Sequence, residues 1–229
     1  MLLIIFIVTL LISFWATARV KSAFHKYSQV PAMSGVTGAQ AASEILKQAG
    51  IHDVEIVEHN ELLGDHYDPM HKRLVLSSEN FHGSSVAALG ISAHECGHAI
   101  QHKIAYAPLQ WRMAAVGITN YANMVVTFLP WLGLFGGFFS GKMAFMLMAI
   151  GWGIIMLFNL VTLPVEFDAS RRAKAILAGT GMISPGPEAG GVDRVLNAAA
   201  WTYVAAFITS LLYMLYYLMP LLGGRSDDE

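Results

Sequence analysis

Four long apolar runs alternate with polar stretches, and that alternation organises the chain. Leu2 to Ala18 carries no charge. Met113 to Phe135 and Met143 to Val165 are 23 residues each, enough to span a hydrocarbon core ~30 Å thick. Gly136 to Lys142 reads as a short turn, so 113–165 is expected to be an antiparallel transmembrane hairpin. Ala198 to Leu222 can span again, with Tyr203, Tyr213, Tyr216 and Tyr217 as interface aromatics. The polar stretches show shorter periods. Gly35 to Gly50 sets Ala39, Ala42, Ile45 and Leu46 on one stripe and ends on glycine, which predicts a helix. Asp53 to Glu58 alternates Val54 and Ile56, and Lys72 to Ser77 contains Leu74-Val75-Leu76. Both predict strands. Gly64-Asp65 and Asp68-Pro69 are turn signals. Ser84 or Ser85 caps a predicted helix running to about Tyr106, before Pro108. Segment 19–112 is thus α+β. Segment 166–197 is charged, with a Gly/Pro loop from Gly179 to Gly191.

Composition sharpens this picture. Hydrophobic residues make up 55% of the 229 and charged residues 13%, against ~25% charged in soluble domains. Mean hydropathy is +0.51. A wholly soluble fold and intrinsic disorder are both excluded. The net charge of −2, with no dominant basic patch, argues against nucleic acid as a partner. The single cysteine rules out a disulfide framework within the chain. Ala16-Thr17-Ala18 resembles a signal-peptide cleavage site, but Arg19, Lys21 and Lys26 follow the apolar run and no basic residue precedes it. The expectation is an uncleaved anchor, 1–18, with its N-terminus outside. Segments 19–112 and 166–197 then share one side and hold twelve of the 14 Lys and Arg. That asymmetry assigns them to the cytoplasm and the acidic tail 223–229 to the outside.

All nine histidines lie between His25 and His102. Among them stands His94-Glu95-Cys96-Gly97-His98. Residues four apart share a helix face, so His94 and His98 can turn two imidazoles to one ion. This is the H-E-x-x-H zinc signature. Glu95 falls beside such an ion, where a carboxylate can take a proton from a zinc-activated water. Cys96 falls on the opposite side of the helix. A catalytic zinc site wants a third protein ligand. The pattern with a third histidine needs Gly and His at positions held by Gln101 and Ile104, and so fails. His102 reads as a neighbour of the site or as surface. The carboxylates facing the same compartment are Glu166, Asp168, Glu188 and Asp193. Glu166 stands out, because a carboxylate against a membrane span is costly unless paired or ligating. Capping accounts for Glu188 and Asp193.

Together Asp65 to Pro69, Ser84 to Gln101, Pro164 to Ala173 and Val195 to Tyr203 resemble the YugP-like neutral zinc metallopeptidases of bacteria. More distantly they resemble membrane metallopeptidases of the HtpX and CAAX-prenyl-protease type. The resemblance implies an α+β zincin-like catalytic domain joined to a mainly helical membrane domain with about four transmembrane helices. It implies one Zn2+ held by His94, His98 and Glu166, with Glu95 as general base. In the HtpX-like relatives the third-ligand segment runs Glu-x-x-Ala-Asp, its Asp orienting a motif histidine. Here Ala169 matches, but Ser170 follows and the carboxylate is Asp168. Either Ser170 bonds an imidazole or Asp168 acts from another angle.

The expected activity is a membrane-bound zinc endopeptidase acting on membrane or membrane-proximal proteins at the cytoplasmic face. Arg171, Arg172, Tyr67 and His82 are the oxyanion candidates, and Leu74 to Leu76 either offers an edge to a peptide or is an ordinary strand. The alternative is an inactive or non-proteolytic membrane zinc-binding scaffold. A transporter is disfavoured by spans without ionisable groups. An intramembrane protease is disfavoured by the charged flanks of Ser84 to His102. Asn120, Asn123 and Asn159 suit hydrogen bonds between helices, or could gather copies of the chain into a homo-oligomer.

Overall fold

The computed structural model describes residues 1–60, 64–136 and 140–222. The acidic tail 223–229, and part of the expected turn at 137–139, lie outside the described residues. The chain is mostly helical with one small mixed sheet. In order come α1 (Leu2–Ser28), α2 (Gly38–Gln48), β1 (Glu55–His59), β2 (His66–Asp68), β3 (Arg73–Ser77), α3 (Ser78–His82), α4 (Val86–Lys103), α5 (Ala107–Gly136), α6 (Gly141–Gly179) and α7 (Pro187–Leu222). They form two compact units. One holds Met1–Trp15, Trp111–Leu163 and the chain from Thr202 on, and the other holds Ala16–Gln110 and Pro164–Trp201.

The first unit is helix on helix. Gly151 lets α6 approach α5, since a Cβ there would lie 2.7 Å from Val126 Cγ1. Trp152 stacks on Tyr213 with ring centroids 4.6 Å apart. Asn159 Nδ2 donates to the Ala206 carbonyl at 3.2 Å and to Ser210 Oγ at 3.0 Å, the expected interhelical bond. Asn120 and Asn123 are exposed. Among the described residues three helices are long and apolar enough to cross a membrane, namely α1, α6 and α7. The expected count of about four is therefore corrected to three. Helix α5, at 30 residues, is longer than α1, but Thr119, Asn120, Tyr121 and Asn123 interrupt its apolar run.

The second unit packs helices around a sheet of order β1-β3-β2. β1 runs parallel to β3, with Ile56 opposite Leu74, and β2 runs antiparallel, with Tyr67 opposite Leu74. Leu74 to Leu76 thus lies in the middle strand, with Leu74 and Val75 paired on both sides and Leu76 paired to β1. That corrects the open-edge reading. The edges belong to β1 and to the three-residue β2, a strand that the turn signals around it conceal. Helix α2 starts at a capping box of Thr37 and Gln40 and buries Ala41, Ala42, Ile45 and Leu46. Gly50 follows it at φ +65°, the left-handed position that favours glycine. Leu74, Leu76, Val86, Leu89, Ala93, Cys96, Ala173 and Leu177 join these in one core.

Candidate metal centre

Helix α4 begins at Ser85, whose hydroxyl accepts the Ala88 N–H at 3.1 Å. The cap fixes where the helix starts and hence which face His94 and His98 share. Two turns on, small residues line the buried side, so the helix sits deep in the core. The carboxylate arrives on α6. Helix α6 runs unbroken through Pro164 to Gly179, because Ala169, Arg171, Arg172, Ala173, Lys174, Ala175 and Leu177 all favour helix. A Cβ at Gly97 would lie 2.8 Å from the Ala169 carbonyl oxygen and 3.1 Å from its Cα. Only glycine permits this approach, which brings α4 backbone against α6 backbone beside Glu166.

The approach gathers three ligand atoms. Nε2 of His94 lies 3.3 Å from Glu166 Oε2, and Nε2 of His98 lies 3.6 Å from the same oxygen. The three donor atoms all fall within 4.8 Å of one another. The two imidazoles meet edge to face, their centroids 4.8 Å apart. Glu166 is 2% exposed. Glu95 is buried next to this cluster, close enough for its charge to act on His98. Burial works against the positive form of His98. The hydrogen bond and charge of Glu166, the charge of Glu95 and the Gln101 contact outweigh it and raise the imidazole above its usual range.

Around the cluster Ser170 and Asp168 stand in different places. Ser170 Oγ lies 3.2 Å from His94 Nδ1. Asp168 does not touch an imidazole. Its Oδ2 accepts from Gln101 Nε2 at 2.9 Å, and Gln101 Oε1 lies 3.0 Å from His98 Nδ1. Gln101 Nε2 also donates to the Val165 carbonyl at 2.8 Å. Arg171 and Arg172 both bond Asp168. The other sequence candidates are occupied elsewhere. Glu188 accepts the backbone N–H groups of Met33 and Ser184, each at 2.8 Å, and Asp193 pairs with Lys174. Cys96 faces the Ala42 carbonyl, and burial pushes its thiol well up, with Glu95 adding to the effect. His102 meets the Tyr67 hydroxyl at 2.9 Å. Burial, with Asp53 and Asp68 nearby, raises that phenol to about 12. His82 pairs with Glu58. All four oxyanion candidates thus have partners outside the ligand cluster.

The family described as "Putative neutral zinc metallopeptidase" matches residues 2–222. The chain belongs to this family. A relative from Bacillus subtilis (strain 168), named "Putative membrane protease YugP", is 42% identical over 222 residues, covering 95% of each chain. No solved structure matches the chain. A neutral zinc metallopeptidase implies a zinc ion, and the donor set can be tested against one. Ligand atoms ~2.0–2.1 Å from a tetrahedral zinc lie about 3.3 Å apart. The separations of 3.3 and 3.6 Å to Glu166 fit, and all three ligand atoms lie within 4.8 Å of one another.

The residue that sequence reasoning missed is Gln101, set aside there only as a failed histidine position. Its place three residues after His98, one helical turn along, was the available signal. Its other partners are 64 and 67 positions away and left no trace in the motif.

Proposed function

We propose that the chain is a membrane-bound zinc-dependent endopeptidase hydrolysing membrane or membrane-proximal proteins at the cytoplasmic face, with one zinc held by His94, His98 and Glu166. The observation that carries this reading is the convergence of those three ligand atoms within 4.8 Å, with Glu95 buried beside them. Zinc, when bound, polarises the scissile carbonyl and lowers the pKa of water towards ~7. Glu95 takes the proton released by the attacking water and hands it to the departing amine as the C–N bond breaks. Ser170 and Gln101 hold the two imidazoles from behind, leaving both Nε2 atoms facing Glu166. Segments 19–112 and 166–197 carry most of the basic residues, and the ligands come from both. They therefore share a side, and positive charge favours the cytoplasm.

The test uses the full chain in detergent micelles and an unfolded protein substrate. Glu95→Gln should lower hydrolysis by about 10²–10⁴-fold, the usual share of a general base, with zinc content unchanged. Removing zinc from the parent with a chelator should abolish cleavage, and adding it back should restore it. Hydrolysis by Glu95→Gln at the parental rate would sink the assignment.

A further inference from the structure

Gln101 is completely buried at 0% exposure, although an amide has four hydrogen-bonding positions to satisfy. Its nitrogen end is fixed by chemistry. Nε2 lies 2.8 Å from the Val165 carbonyl and 2.9 Å from Asp168 Oδ2. Both of these are acceptors. Asp168 is additionally held by Arg171 and Arg172, so it is the ionised, accepting form. Turning the amide over would set an oxygen against two acceptors. The oxygen end must then face His98, where Oε1 lies 3.0 Å from Nδ1. An amide oxygen only accepts. His98 therefore carries a proton on Nδ1, which leaves Nε2, the atom facing Glu166 at 3.6 Å, as its ligating nitrogen.

We infer that Gln101 is the positioning residue of the zinc centre proposed above, fixing the tautomer and direction of His98 by relaying the fixed polarity of Asp168 through a neutral amide. The two histidines differ in this respect. Ser170 faces His94 Nδ1 with a hydroxyl, which can donate or accept. It steadies the ring but leaves the tautomer open. Gln101 leaves no choice. It also works on the third ligand, because its two acceptors, Val165 and Asp168, flank Glu166 on α6. One side chain thus aims an imidazole on α4 and ties down the backbone that carries the carboxylate.

The experiment uses the full chain in micelles, with zinc as the probe and a competing chelator to read affinity. Gln101→Met keeps the length and removes the amide. Gln101→Leu removes it with a shorter, branched apolar side chain. Each should bind zinc about 10–100-fold more weakly, the usual cost of losing a partner behind a metal-bound histidine. In ¹⁵N-histidine spectra of the zinc-loaded parent, His98 should show a protected Nδ1–H, and that signal should be lost to solvent exchange in both variants. A folded variant with affinity within about twofold of the parent overturns the inference. So does a variant that melts lower yet keeps its affinity, because Gln101 would then be a packing tie alone. If neither variant folds, the parent spectrum decides, and a His98 proton on Nε2 overturns the inference. His98→Ala that binds zinc as tightly as the parent would instead overturn the underlying ligand assignment.

Discussion

Thr119, Thr162 and Ser210 each return a hydroxyl to the carbonyl one turn earlier in their own helix, at 2.8, 2.8 and 2.9 Å. They are neutral polar residues of the helix-on-helix unit, as is Asn159, whose amide reaches across to Ala206 and Ser210. The buried polar residues of the sheet-containing unit behave differently. Glu166 and Asp168 are charged, buried at 2% and 3% exposure, and draw partners from remote parts of the chain. The contrast follows from the cost of burial. A buried hydroxyl needs one hydrogen bond, and a helix supplies it. A buried carboxylate needs counter-charge or several donors. Convergence of charged groups is therefore a marker of chemistry, whereas scattered neutral groups mark helix packing.

The comparison can be broken from the charged side first. Glu166→Ala removes one of three protein ligands. If zinc binding is worth ~10–16 kcal/mol over four ligands, about 3 kcal/mol goes with each, or roughly a hundredfold in affinity. Zinc retained at full occupancy after dialysis against chelator would place the third ligand elsewhere. Ser170→Ala should cost less. A neutral hydrogen bond is worth about 1 kcal/mol, so zinc should bind about fivefold more weakly, read by chelator competition. Asn159→Ala probes the other region. Removing an interhelical bond of ~0.6 kcal/mol should lower thermal stability slightly in micelles and leave zinc affinity unchanged. A change in zinc affinity there would erase the distinction between the two kinds of polar group.

The features readable from sequence were those written in contiguous residues. Ser85 as a cap, the helix after it and the His94–His98 pair all depend on neighbours within a few positions. Gly50 as a helix end depends on its own φ. Glu166 was readable because a carboxylate directly at the end of an apolar run has few bland explanations. The middle position of β3 was not, since pairing on both sides comes from β1 and from β2, which lies between turn signals. Nor was the unbroken course of α6 through Pro164, where the helix-forming run beyond the proline outweighs one missing N–H. The partners of the oxyanion candidates are a mixed case. Asp168 lies one helical turn from Arg172 on the same helix, whereas His102 meets Tyr67 only when distant elements come together.

Gly97 has a consequence for how the chain tolerates change. Every other amino acid adds at least a Cβ, which would fall 2.8 Å from a backbone oxygen that cannot rotate away. Gly117 is also helical, yet a Cβ there meets nothing within 4 Å. Under selection for zinc-dependent activity, a library saturated at position 97 should return glycine alone, and one at position 117 should return a wide alphabet. Recovery of alanine at 97 with full activity would show that the two helices can part by the width of a methyl group without losing the metal. Otherwise, the least permissive codon in this stretch belongs to a residue with no side chain at all.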